Sequence, residues 1–418
     1  MRLAGKLNFL EVRSGTMKNK SAMPHRLFFI VVGDISFSAG SRTLFRELIL
    51  AWKRMGIDVQ CRIYQLRTDV LPEANADGTV RLKDFPDPVY SPTTKKLFDR
   101  LPRQLFRLYE RMVIAGCLWR WLREIRAEDR LVLNGCLGLL HLLPIKSPTE
   151  HRWWYKVGVI EEEAVSGLRF RVRKWIESWN ANRLGKRMVV SRPMGEFLEQ
   201  AYGYNRQGVF IVPCLVNEEQ FNFNINARDA CRSKMGLSDK LVVLYLGSAE
   251  PQQSPVETIA FFKALHGRFA NAYFWILSHE KETFKRLLCE AELPSDCWHV
   301  DSKPYNELGE WLPAADIGCL MRPGGLINRV SSPVKFPEYM INGLSVVVGP
   351  EVGEYTELVR KEKVGVVVDP GDDATWVPAI EALSTLLEDR ESLRKRCFKV
   401  ARQLSWQGNE QRISDEFF

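Results

Sequence analysis

Short runs of β-branched, leucine and aromatic residues, each leading through a glycine loop into a helix-like stretch, recur in both halves of the chain and constrain its fold most. LFFIVVG over 27–33 leads through a loop holding Gly40 into an amphipathic run over 43–55 that stops at Gly56. LVVLYLG over 241–247 leads in the same way into TIAFFKALHGRF over 258–269. Runs this short and continuously apolar suit strands buried on both faces, and parallel strands need helical crossovers between them. Further runs at 58–64, 131–134, 153–157 and 188–191 extend the first set, the last leading into the helix-like PMGEFLEQAYG. Those at 272–277, 317–321, 345–349 and 364–368 extend the second, with ETFKRLLCEAEL as a helix after 272–277.

PCLVNEEQFNF over 213–223 breaks the periodicity and predicts a crossing between two doubly wound α/β domains. The domains expected are 26–212 and 213–400, with 401–418 as a terminal helix crossing back to the first. A chain of 418 residues exceeds one ordinary core, which supports that division. Ligands of open α/β sheets bind outside the carboxyl ends of the strands, so a cleft between two such domains is the expected active site. Residues 1–25 lack the continuous apolar core and cleavage site of a secretory signal and read as a flexible leader.

At 45% hydrophobic and 26% charged, with no run of the ~18 apolar residues that span a bilayer, the chain reads as globular. Its nine cysteines are scattered without a Cys-x-x-Cys pair, a usage that suits a reducing cytosol. Six histidines without ligand spacing leave no metal expected. The net charge of +8 is unevenly spread: residues 1–212 hold 36 Lys and Arg against 21 Asp and Glu, whereas 213–418 hold 23 against 30. Such asymmetry points to an anionic partner for the first half, a membrane face or a diphosphate-linked acceptor, or to a solvated basic face. Nucleic acid is not expected, because no aromatic and basic recognition motif is present. In the tract 94–125, Arg100, Arg103, Arg107, Arg111, Arg120 and Arg123 recur near helical spacing among apolar and aromatic residues. That pattern suits a helix lying on an anionic membrane, and equally a sheet-covering helix with solvated arginines, broken or kinked at Pro102.

The segment 331–350, SSPVKFPEYMINGLSVVVGP, carries the chemistry. Ser332 before Pro333 predicts a helix start, with a hydroxyl to cap it and a ring pre-set at the first helical position. Free amides and a positive dipole end make such a start a phosphate site, and Lys335 in its first turn adds a full charge. Glu338 follows three residues later on roughly the same face, where a carboxylate suits the two hydroxyls of a ribose better than a phosphate. Gly343 ends the helix, and LSVVVGP makes the next buried strand.

S-P-x-K-x-x-E-Y followed by G-L-S-V-V-V resembles the donor motif of group 1 glycosyltransferases of the GT-B fold. MVVSRPMGEFLEQAYGY with VFIVPCLVNEEQF resembles that family's end-of-domain helix and linker, YLGSAEPQQSP its first glycine loop of domain two, and ARQLSWQ its terminal helix. The resemblance implies two Rossmann-like doubly wound domains facing a cleft. It also implies transfer of a sugar from a nucleoside diphosphate sugar to an acceptor hydroxyl, with retention and without a cofactor.

Residue by residue, the resemblance gives Glu338 the donor ribose and Ser332 and Lys335 the diphosphate. It gives the loop 324–328, with Gly325, Leu326 and Asn328, the sugar, and places Gly247 and Ser248 in a donor-side glycine loop. Gly40 matches a glycine-rich loop near the phosphates, a position that a turn requirement also explains. YKVGVIEEE over 155–163 resembles a loop facing the cleft, with Glu162 or Glu163 near the acceptor, although glutamates opening a helix also complement its dipole. Two departures stand out. Val330 occupies the place of a second family glutamate, so Asn328 is expected to supply the sugar contact. No Lys or Arg occurs from Gly247 to Phe262, so Arg322, Arg329 and Lys335 are expected to serve the diphosphate. Lys335, Arg329 and Glu162 form the expected catalytic set, acting on a glycan or lipid-linked acceptor in the cytoplasm, at the inner membrane face. The alternatives are a non-catalytic sugar-nucleotide binder, which the departures favour, and a sugar-nucleotide epimerase, for which no acid and base pair is evident.

Overall fold

The computed structural model describes residues 26–33, 39–65, 116, 118–135, 144–158, 167–204 and 208–417. Strands β1 (Leu27–Gly33), β2 (Val59–Gln65), β3 (Arg130–Gly135), β4 (Arg152–Lys156), β5 (Lys186–Val189) and β6 (Val209–Ile211) form one sheet, ordered β2, β1, β3, β4, β5, β6. Strands β7 (Leu241–Leu246), β8 (Ala272–Leu277), β9 (Trp298–Asp301), β10 (Ile317–Leu320), β11 (Ser345–Val348) and β12 (Gly365–Val367) form the other, ordered β12, β11, β10, β7, β8, β9. Every pairing is parallel, as buried apolar runs joined by helices require. In β4, the consecutive Trp153, Trp154 and Tyr155 are all buried, so both faces of that strand are covered.

The ten strands expected from apolar runs are present, two of them with unchanged bounds. β6 and β9 were not among the expected strands: β6 is three residues long and runs straight into the linker segment, and β9, WHVD, interrupts its apolar residues with His299 and Asp301.

The helix Arg192–Tyr202 shows how local sequence serves tertiary contact. Ser191 caps it by accepting from Met194 N at 3.1 Å, and Gly203 closes it at φ 71. The same Ser191 hydroxyl donates to Val330 O at 2.7 Å, across the seam between the two sheets. Beside it, Arg192 pairs with Glu354 at 2.6 Å. The terminal helix Trp406–Phe417 packs on the first sheet: Phe417 lies 4.6 Å from Trp153 and 5.4 Å from Trp52, and Arg130 Nε donates to its carbonyl at 2.8 Å. Of the basic tract 94–125, only 116 and 118–125 are described; there Leu118, Leu122 and Ile125 are buried while Trp119 is 46% exposed.

Candidate functional site

β7 and β10 are neighbours in the second sheet, and the chain winds outward from them in opposite directions. The crevice at their carboxyl ends is the topological switch point, where ligands of such sheets bind. After β7 comes Gly247 at φ 151. A Cβ there would collide with Lys335 Nζ and Gln253 Oε1, so only glycine admits the ammonium to this loop. Lys335 opens the helix Lys335–Ile341, donates to Gln253 Oε1 and stands 5.6 Å from the Tyr245 ring centroid. Gln253 Nε2 donates to Ser248 Oγ at 2.6 Å, and the Tyr245 hydroxyl donates to Ser248 O at 2.7 Å. The glycine loop and the lysine are thus one hydrogen-bonded unit.

Arg322 follows β10. Its Nη1 donates to Asn328 Oδ1 at 3.3 Å, and its Nε is buried without a partner among the described residues. Neither Lys335 nor Arg322 has a carboxylate partner among the described residues; their side-chain hydrogen bonds go to amides. Burial and the charge of Arg322 hold Lys335 down to about 7, and burial lowers Arg322 too. Glu338 and Glu250 act on Lys335 in the opposite sense without pairing with it, so two neighbouring cations with no carboxylate in direct contact are a place where a bound anion would be favourable.

Glu338, 3% exposed, lies one turn beyond Lys335 and accepts from the Tyr305 hydroxyl at 3.1 Å. Burial pushes its carboxyl up to about 8; the Tyr305 bond and Lys335 oppose the shift, and Glu47 adds to it. Glu47 belongs to the first sheet's helix Ala39–Arg54 and is 2% exposed. Its Oε2 accepts from Asn217 Nδ2 at 3.3 Å, while Oε1 is buried without a hydrogen bond among the described residues. Burial also raises the Glu47 carboxyl, against the nearby Arg46. Arg46 in turn stands 6.0 Å from the Tyr305 ring centroid. Two buried carboxyls from opposite sides of the seam therefore feel each other, with Tyr305 beside them.

Several expected contacts are arranged differently. Ser332 does not cap a helix: its hydroxyl accepts from Cys214 N at 2.9 Å and pairs with Tyr355 at 2.8 Å, which ties the linker to the second sheet. The helix starts at Lys335 with Val334 before it and no side-chain cap, leaving Pro333 outside. With seven residues, that helix offers little macrodipole at its amino-terminal end. Asn328 is 3% exposed and fully occupied, holding Arg322 through Oδ1 and donating to Pro323 O at 3.0 Å. Its place is that of a brace for Arg322. Arg329 is exposed at the end of the short helix Leu326–Arg329, which Leu326 opens, with no side-chain partner among the described residues. Gly325, at φ 129, gives its amide to Glu351 Oε2 at 3.1 Å. Val330 is 1% exposed in the seam, where its carbonyl accepts from the Ser191 hydroxyl. Gly40 lies in the first turn of Ala39–Arg54, and Glu162 and Glu163 fall outside the described residues. Gly343 ends the helix at φ 69, as its sequence predicts.

Gln253, Tyr305, Glu47 and Glu351 had no sequence signal. Each is an ordinary polar residue in its local context, and its place is set by elements distant in the chain. No group of His, Cys, Asp or Glu able to hold a metal occurs among the described residues, and none of the helices searched is long and apolar enough to cross a membrane.

Residues 228–403 match the family described as Glycosyl transferases group 1. The fold is shared with WaaG, a glycosyltransferase involved in lipopolysaccharide biosynthesis, at TM-score 0.62 and 16% identity over 93% of this chain and 98% of that one. It is shared with HepE of Anabaena, solved with UDP-glucose, at TM-score 0.63 and 11% identity over 94% and 99%. An α,α-trehalose-phosphate synthase (UDP-forming) from Burkholderia vietnamiensis gives 0.61 and 14% over 94% and 96%. No curated protein sequence gives a significant match. A match to group 1 glycosyltransferases over residues 228–403 thus lies within a two-domain GT-B fold shared with solved glycosyltransferases.

Proposed function

We propose that the protein transfers a sugar from a nucleoside diphosphate sugar to an acceptor hydroxyl, with retention at the anomeric carbon. The observation that carries this reading is the pair of cations, Lys335 and Arg322, held at the switch point without a carboxylate, with a buried Arg322 Nε left to donate. A diphosphate supplies the missing charge. As the bond from the anomeric carbon to the diphosphate oxygen breaks, the leaving group gains charge and the sugar becomes oxocarbenium-like, so cations aimed at the phosphates stabilise the transition state. Glu338, with Tyr305 on one oxygen, is suited to accept from the ribose hydroxyls. The Gly325 amide, now bound to Glu351, lies in the loop that receives the sugar in this reading. Arg329 and Glu162 complete the proposed catalytic set at the rim and on the acceptor side. UDP-glucose, bound by HepE, heads the donors to test.

In this reading residues 26–212 form the acceptor side, 213–400 the donor side, and 401–418 the return to the first domain. The acceptor is a glycan or lipid-linked saccharide presented at an anionic membrane face. Supporting that, Trp175 and Trp179 of the helix Gly167–Arg183 are 61% and 52% exposed and meet edge to face with ring centroids 5.4 Å apart, on the more basic half of the chain. The deciding experiment is a panel of sugar nucleotides mixed with lipid and glycan acceptors, reading nucleoside diphosphate release and the anomer formed. Release with one donor and a retained anomer supports the proposal. Tight donor binding with no release under any acceptor would establish a non-catalytic binder instead.

A further inference from the structure

At the opposite, amino-terminal end of β10 lies a second concentration of positive charge, around Asp316. The Asp316 carboxylate is 2% exposed and saturated: Oδ1 accepts from Arg228 at 2.5 Å and Arg390 at 2.8 Å, and Oδ2 from Arg232 at 3.2 Å and Val242 N at 2.9 Å. Burial alone would raise this carboxyl, but the guanidiniums of Arg228, Arg390 and Arg232 outweigh it and hold it low. Arg228 and Arg232 spend their remaining donors on main-chain carbonyls, among them Pro313, Ala314 and Ala315. Arg390 is different: its side chain is 42% exposed, and its single hydrogen bond among the described residues goes to Asp316.

Arg394 is a fourth guanidinium, one turn along the helix Arg390–Gln403. It stands 5.1 Å from the Phe223 ring centroid and has no carboxylate partner among the described residues. A Cβ on Gly343 would come within 2.9 Å of Arg394 Cγ, so the arginine stem is laid against that glycine and its direction is set by packing. Arg390 and Arg394 line one hollow with Asp316, Gly343, Leu387 and Leu393, and no second carboxylate lines it. Four guanidiniums face one carboxylate, and like charges one helical turn apart repel.

We propose that this hollow binds a phosphate-class oxyanion between Arg390 and Arg394, at a site separate from the donor crevice. Guanidinium forks match the geometry of a tetrahedral oxyanion, and a hollow this small and open to solvent admits only a small one, free phosphate or the phosphate end of a monoester. Bound there, the anion ties the helix Arg390–Gln403 to the start of the strand whose far end leads to Arg322.

The test is calorimetric titration of inorganic phosphate into the Lys335→Ala protein at low ionic strength, which removes a donor-crevice cation from the reading. One remaining site is expected, weakened ~10-fold or more by adding Arg394→Ala and partly restored by Arg394→Lys. Because Arg394 makes no hydrogen bond among the described residues, its replacement leaves the fold in place; thermal unfolding of each variant verifies this. Glycerol 3-phosphate competing for the site would assign it to monoesters, and failure to compete would assign it to free phosphate. The proposal is overturned if the Lys335→Ala protein binds no phosphate, or if Arg394→Ala leaves the affinity unchanged.

Discussion

The two ends of β10 hold opposite arrangements of positive charge. At the amino end, Arg228, Arg232 and Arg390 converge on Asp316 and two of them also tie down main-chain carbonyls, so charge there organises the fold. At the carboxyl end, the side-chain hydrogen bonds of Lys335 and Arg322 among the described residues go to the amides of Gln253 and Asn328, and the proposed donor diphosphate would supply the opposite charge. Removing one partner of a buried ion pair strands the other charge and destabilises the native state, whereas a cation without a carboxylate partner has no such pair to lose.

The largest effect that could break this comparison is at Asp316. Asp316→Ala strands buried guanidiniums and should cost about 3–5 kcal/mol, read by denaturant unfolding. A loss below ~1 kcal/mol would show that the carbonyl bonds alone hold these arginines. Lys335→Ala should do the reverse, leaving stability unchanged or improved while turnover falls ~100- to 1000-fold, about 2.7–4 kcal/mol of transition-state stabilisation. If that variant unfolds and keeps its rate, the two ends of β10 are not distinct.

Glu338→Ala should weaken nucleotide binding ~10-fold or more with the fold intact. Unchanged affinity would remove it from the ribose role.

The pH dependence sharpens the contrast. Burial holds Lys335 down to about 7 in the folded protein against the ordinary 10.5 of a lysine, so the unfolded chain binds more protons between these values. Its contribution to stability therefore rises as pH climbs from about 7 to 10.5, and this rise should vanish in Lys335→Met. Glu338 runs the other way: its folded value of about 8 lies above 4.5, so its contribution is full below 4.5 and is lost as pH rises through about 8. Chemical unfolding across pH 5–10 in wild type, Lys335→Met and Glu338→Gln separates the two, and identical profiles would refute both assignments.

The smallest effect is expected from Glu47→Gln, which removes a like charge near Glu338 and should move the midpoint of pH-dependent nucleotide binding to lower pH. An unmoved midpoint would mean that the two carboxyls do not interact across the seam.

Much of the fold was legible in the chain because parallel strands buried on both faces are written as apolar runs, and β1 and β8 appear as such. The edge strands β6 and β9 were not, since the three residues of β6 merge into the linker and the polar residues of β9 interrupt its apolar ones. In the site, Lys335, Glu338 and Gly247 were legible from local spacing and family resemblance. Ser332 was misread as a cap because its hydroxyl serves Cys214 and Tyr355, residues remote in sequence.

By itself, then, the sequence determined two wound α/β units and the segment that carries Lys335 and Glu338. Only tertiary structure decided that Gln253 holds the lysine, that Asn328 braces Arg322, and that Glu47 reaches the Glu338 neighbourhood from the other sheet. The physical reason is that apolar periodicity is a local property of a chain, whereas the partner of a buried polar group is whichever atom folding brings within hydrogen-bonding distance.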